Sequence, residues 1–335
     1  MPVPSTNEGR SFLALTFQKE RASVVSIENG KVHAIGSQEM VHPFGIDTLR
    51  SEEVAFGNLV DVVRKLCNTV KCSGKQVGVV LGQEMVQIKR FPIALGMDKT
   101  FLEQQIEWEA RQACISDIDG YTRVSSRLPA QQASGDPLYV TVLVRKWIVT
   151  ATRRLIERAG YRLNDIDVDV FTQIHAVLGN YDISQNDLVL LAKIEADALS
   201  LTVIKRRDFF LCHRVTLQKP ANRANNRMPA QDMAELIQKE VKRLVFAHRL
   251  GNDMAAFSAV FLCGENDPEG VLQALSSSLT VPIKKVNPFY RVRTVDSLTG
   301  TEDFVHRPER YMASMGLALK RLPSLSMEMT VNPNR

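Results

Sequence analysis

No apolar run in this sequence is long enough to cross a bilayer as a helix. The longest, 254–263, is about half of what a span needs. Net charge is scarce too: 42 Lys and Arg against 37 Asp and Glu leave only +5 over 335 residues. So mild an excess argues against a nucleic-acid face, which needs concentrated positive charge. Cysteine is sparse and odd in number, with Cys67, Cys72, Cys114, Cys212 and Cys263 scattered along the chain, unlike the dense, even sets of small disulfide-framed proteins. The first ten residues lack a basic segment followed by an apolar one, so no signal peptide is predicted. None of the six histidines has a second histidine four residues away, and Cys67 and Cys72 lack the spacing and the second pair of a zinc knuckle. These absences predict a reduced, soluble, cytoplasmic chain with no metal site.

What is present is an ordinary globular composition, 44% apolar and 24% charged, at a length that predicts about two domains. The β-prone segments 12–16 and 22–27, joined by a charged turn, read as a hairpin, and Asn29-Gly30 leads into a third strand at 31–35. A helix follows over about 51–70, then a buried strand at 76–81 and an extended stretch at 86–91 closed by Pro92. The next helix can be capped by Asp98 or Thr100, since Thr100 and Glu103 have capping-box spacing. Strands at 121–125 and 138–144 flank a loop at 130–137, a helix over 146–159 ends at Gly160, and 166–170 alternates as a strand. That alternation explains Asp165, Asp167 and Asp169 as a solvated face rather than metal ligands. Glu107 and Glu109, two apart on a helix, face apart and make no carboxylate pair, and Cys212 and His213 point to opposite sides of a strand.

The opening design then recurs. Segments 188–194, 199–204 and 209–214 read as another three-strand meander, followed by a polar loop at 219–231 and a helix carrying Met233, Ile237, Val241 and Leu244 on one side. A strand at 259–263, a helix near 268–279, the segment 281–286 and a last helix over 308–321 complete the order, ahead of a loose tail. Two meander-then-helix halves form an internal duplication.

Four local patterns, in order, carry a resemblance. They are Pro92 with its capped helix and Trp108-Glu109-Ala110; Ala159-Gly160-Tyr161 with 167–171; Val281-Pro282-Ile283 with Asn287-Pro288-Phe289; and Gly316-Leu317-Ala318-Leu319. Over about 11–321 the chain resembles the PilM-type type IV pilus assembly proteins of the actin-like ATPase superfamily. The resemblance implies an α/β, actin-like (RNase H-like) two-lobe fold with a small α/β subdomain inserted in the first lobe. The implied boundaries are 9–84 plus 165–185 for the first lobe's actin-like part, 85–164 for an inserted partner-binding subdomain, 186–321 for the second lobe and 322–335 for the tail.

The departures from that family's pattern carry the functional expectation. A phosphate cradle needs glycine, because the backbone must approach the phosphate closely, and it needs aspartates to orient Mg²⁺ and water. Aligned with the family, Thr16 and Gln18 stand where Asp and Gly are expected in the first hairpin, and Lys193 and Glu195 in the second. Gly264 is one glycine of a usual pair, followed by the acid Glu265. Neither 12–27 nor 188–214 contains any glycine. The expectation is therefore a pseudo-ATPase with no catalytic residues and no bound cofactor, acting as a scaffold. By the resemblance it docks the N-terminal tail of a PilN-type bitopic inner-membrane protein, with Ile88, Arg90 and Phe91 as partner-binding residues. A working ATPase of the same family, the soluble L-type secretion component and a cell-division actin homologue are the rival readings. Lys205, Arg206 and Arg207 read as a solvated hairpin turn. With Arg223 and Arg227 they also raise the expectation of attraction to an anionic membrane surface.

Overall fold

The computed structural model describes residues 11–51, 54–128, 137–217, 228–251, 253–264, 268–298 and 301–322. The chain forms two compact units, one of Met1–Met85, Trp147–Tyr181 and Pro288–Arg335, the other of Val86–Lys146 and Asp182–Asn287. The loop at 130–136, Arg223 and Arg227, Glu265 and the tail from 323 lie outside the described residues.

The first unit begins with the meander β1 (Ser11–Phe17), β2 (Arg21–Glu28) and β3 (Lys31–Glu39). Asn29 and Gly30 both take positive φ, 50° and 74°, as a two-residue hairpin turn requires. A short α1 (Ile46–Arg50) and then α2 (Val54–Thr69) follow, and α2 buries Phe56, Leu59, Val63 and Leu66. β4 (Gln76–Leu81) pairs with β1 in parallel.

The chain then builds the three-stranded sheet β5-β7-β6 from β5 (Val86–Pro92), β6 (Tyr121–Arg127) and β7 (Leu138–Arg145), with α3 (Lys99–Ala113) between β5 and β6. Asp98, not Thr100, caps α3: its carboxylate accepts from the Thr100 and Phe101 N–H groups at 2.8 and 3.0 Å. Ala110, Tyr121 and Leu143 form the small core beneath that helix.

Back in the first unit, α4 (Lys146–Arg158) ends in a glycine cap. Gly160, at φ 93°, donates to the Glu157 carbonyl and Tyr161 donates to that of Ile156. β8 (Arg162–Val168) completes the sheet in the order β3-β2-β1-β4-β8. The sequence reading of a strand over 166–170 is corrected here, because the chain turns into α5 (Asp169–Asn180) at Asp169. A carboxylate in a first helical turn complements the helix dipole, so Asp169 is a buried helix starter rather than part of a solvated face. Asp167 and Asp165 are taken by Lys320 and Arg321.

The second unit repeats the plan with β9 (Leu188–Ile194), β10 (Ala198–Lys205), β11 (Asp208–Thr216), α6 (Ala230–Ala247), β12 (Ala259–Gly264), α7 (Pro268–Ser276) and β13 (Ile283–Lys285). Its sheet order, β11-β10-β9-β12-β13, matches that of the first unit position for position. Leu190, Ala192, Leu201, Val203 and Val260 meet Ile237, Val241 and Leu275 in one core. Burying a side chain of Leu, Ile or Val size contributes about 1.5–3 kcal/mol.

The last segment returns to the first unit as α8 (Glu302–His306) and α9 (Met312–Leu319). Where one helix over 308–321 is predicted, a 3-10 turn at Pro308–Tyr311 precedes α9. α9 packs against α5 so closely that a Cβ on Gly316 would lie 1.7 Å from the Thr172 carbonyl oxygen. Only glycine fits there.

Just before α9, Tyr311 donates to Asp303 Oδ2 at 2.7 Å, and Ser37 Oγ donates to the same oxygen at 2.8 Å. Burial pushes the Asp303 carboxyl up, but these donors and Arg310 outweigh it and hold it below its ordinary value. A depressed carboxylate stabilises the fold above its unfolded pKa, and that contribution fades as pH falls through the folded value. Tyr311→Phe is expected to cost about 1–2 kcal/mol in urea unfolding at neutral pH. The gap from wild type should narrow below pH 3.8, the group's ordinary value.

Candidate functional site

Each unit carries a three-strand meander, and the two share one register. Thr16 pairs with Ser23, which pairs with Ser37; Lys193 pairs with Ser200, which pairs with Arg214. Each meander has a register shift at the same place, between Ser26 and Ile27 and between Val203 and Ile204. Two residues beyond Thr16 and Lys193, the Gln18 N–H donates to the Arg21 carbonyl at 2.8 Å and the Glu195 N–H to that of Ala198 at 2.9 Å. Thr16 and Lys193 are therefore equivalent positions, as are Gln18 and Glu195.

Side chains at the two hairpins differ in kind. In the second unit, Lys193 Nζ lies 2.7 Å from Glu195 Oε1, and Arg214 Nη1 lies 2.6 Å from Glu195 Oε2. One carboxylate thus spans the two cations, each oxygen taking one of them. Burial opposes its ionisation, yet the Lys193 and Arg214 charges and hydrogen bonds outweigh that and hold the Glu195 carboxyl below its ordinary value. In the first unit the same positions are neutral. Thr16 Oγ1 and Gln18 Oε1 are buried with no hydrogen-bond partner among the described residues.

A triphosphate with Mg²⁺ asks for open backbone N–H groups and a carboxylate turned toward the metal. The first hairpin supplies a hydroxyl and an amide; the second supplies a carboxylate already bound to both neighbouring cations. Neither donor set fits that ligand.

Gly264 has a reason of its own. It takes φ 118°, and a Cβ there would lie 2.1 Å from the Ile194 carbonyl oxygen. Its pairing with Ile194, where β12 closes on β9, demands glycine whatever the site binds.

No protein-family model and no curated protein sequence matches the chain. Solved structures do. A chain of the PilM–PilN type IV pilus biogenesis complex superposes with a TM-score of 0.74 at 17% identity, covering 93% of this chain and 98% of that one. The chain has the actin-like fold. Two further structures align less closely. The cytoplasmic domain of EpsL, an inner-membrane component of the Vibrio cholerae type II secretion system, gives 0.49 at 12% identity over 92% and 95% of the two chains. A Bacteroides thetaiotaomicron protein with an actin-like ATPase fold gives 0.48 at 13% over 89% and 97%.

Within this actin-like fold, β5 is an edge strand of its sheet, and it carries Ile88, Arg90 and Phe91. Ile88 and Arg90 project from one face and Phe91 from the other, because side chains alternate along a strand. Ile88 is half-buried. The Arg90 guanidinium lies over the Phe210 ring, 4.1 Å from its centroid, and Phe91 is buried against Tyr139 at 6.5 Å between ring centres. The three residues share an edge rather than a cluster. Sequence reasoning missed Arg214 as the third member of the Glu195 group.

Proposed function

We propose that the chain is a non-catalytic scaffold at the cytoplasmic face of an inner membrane, in a type IV pilus or type II secretion-like assembly. Its partner is the N-terminal tail of a bitopic membrane protein of the PilN type. The observation that carries the non-catalytic part is the Lys193–Glu195–Arg214 group, which fills with an internal anion the hairpin where an ATPase of this fold would hold phosphate. The fold shared with a chain of a PilM–PilN complex supports the partner.

In this reading the docking element is the insertion expected over 85–164, in its part Val86–Lys146, since Trp147–Tyr181 packs with the first unit. An extended tail adds to the open edge of β5 by backbone pairing, and Ile88 together with the stems of Arg90 and Phe91 sets which side chains fit. Isothermal titration separates the two parts. Mg²⁺–ATP is expected to release no binding heat at micromolar to millimolar concentration, whereas a PilN-type tail peptide binds. Ile88→Glu should weaken the peptide about tenfold, the size of one interface hot spot. Micromolar ATP affinity would overturn the pseudo-ATPase reading, and a tail peptide without affinity would overturn the docking.

A further inference from the structure

On the second unit, a set of cations surrounds one aromatic ring without acidic partners. The Arg90 guanidinium sits 4.1 Å from the Phe210 centroid and Lys205 Nζ 5.2 Å from it, while the His248 ring meets Phe210 edge-on at 6.1 Å. Neither Arg90 nor Lys205 has a carboxylate partner among the described residues, and burial lowers the pKa of both. Like charges crowded together and partly desolvated are unfavourable unless an anion completes them. Arg206 adjoins them in the positive-φ turn after β10.

On the opposite, solvent side of α6, beyond the exposed acids Asp232 and Glu235, the C-terminal half of the helix and the residues after it carry a second run of cations. Lys239, Lys242 and Arg249 are exposed there. None of the three has a carboxylate partner among the described residues. Phe246 projects from their midst at 86% exposure. A protruding aromatic ringed by unpaired cations is the pattern of an interfacial membrane contact. The ring enters the headgroup layer and the cations meet acidic lipid. Nucleic acid would instead be met by aromatic faces laid flat in a groove. Among the described residues no helix is long and apolar enough to cross a membrane, so the contact is peripheral.

We propose that this face, formed by Lys239, Lys242, Phe246 and Arg249, binds an anionic phospholipid surface directly, without a protein partner. Charge complementarity selects the occupant. The proposal stands apart from tail docking, because the purified chain alone should do it.

The test is co-sedimentation of the full chain with vesicles containing phosphatidylglycerol and with vesicles of phosphatidylcholine alone. Binding is expected only to the first, weakening steeply as salt rises. Lys242→Ala and Arg249→Ala should each reduce partitioning about fivefold, the effect of one cation at a charged surface. Phe246→Asp should reduce it further with an unchanged melting temperature, since its side chain is exposed. Absence of binding to the acidic vesicles at low salt would overturn the proposal. So would equal binding by the three variants, or single-stranded oligonucleotide bound as tightly as acidic vesicles.

Discussion

Replacing Glu195 with alanine is expected to destabilise the protein by about 3–5 kcal/mol, the usual penalty for removing one member of a buried ionic group. The carboxylate is 16% exposed, and Lys193 and Arg214, at 10% and 23%, are held by its two oxygens. Without it, two cations face each other in a largely dry hairpin. Urea unfolding of the purified variant measures the loss. The same variant should acquire something the wild type lacks: pyrophosphate, taking the vacated place between Lys193 and Arg214, raises its melting temperature. Wild type should show no such shift, because its own carboxylate fills the place. The pH dependence has a defined sign. The Glu195 carboxyl lies below its ordinary value of 4.5 in the folded protein, so its contribution is complete above that value and fades as pH falls through the folded pKa. Wild type and variant should therefore converge in acid. A stable variant, or a wild type raised equally by pyrophosphate, would remove the internal anion from the account.

Much of this arrangement was legible in the sequence, and the rest was hidden for identifiable reasons. The duplicated meanders show because alternating β-branched residues and turn signals recur in the same order, and every strand of both sheets except β13, read only as a segment at 281–286, is placed within about four residues. Helix α5 was missed because the alternation of 166–170 runs into its first turn, where Asp169 and Val170 suit a strand face as well as a helix start. Arg214 was hidden by a register shift. Counted back from the Lys205–Asp208 pair without one, Ser200 would stand opposite His213, and Arg214 would point to the other side. The shift between Val203 and Ile204 instead sets Arg214 opposite Ser200, in the row of Lys193 and beside Glu195. One extra residue in a strand exchanges its faces, and no local signal in 205–216 announces it. The individual positions Lys193 and Glu195 could be read from the sequence; their pairing could not, because it depends on that irregularity.

Gly264→Ala provides the second large effect, about 3 kcal/mol or more, and it separates two reasons for keeping a glycine. In a nucleotide-binding member of this fold, glycine near the adenosine gives the ligand room. Here the obstacle to any other residue is the protein itself. A methyl group at this position would lie 2.1 Å from the Ile194 carbonyl oxygen and 2.7 Å from its nitrogen, on a backbone at φ 118° that L-residues rarely adopt. Backbone atoms cannot swing aside as the end of a side chain can, so relief requires the end of β12 to part from β9 at the Gly264–Ile194 pair. Because Ile194 stands between Lys193 and Glu195, the separation would also disturb the ionic group. Alanine at 264 should therefore lower the urea midpoint and speed amide exchange around Ile194, and the loss should not be repaired by adding ATP. A variant within about 0.5 kcal/mol of wild type, the range of an ordinary surface substitution, would return this glycine to a role in ligand access.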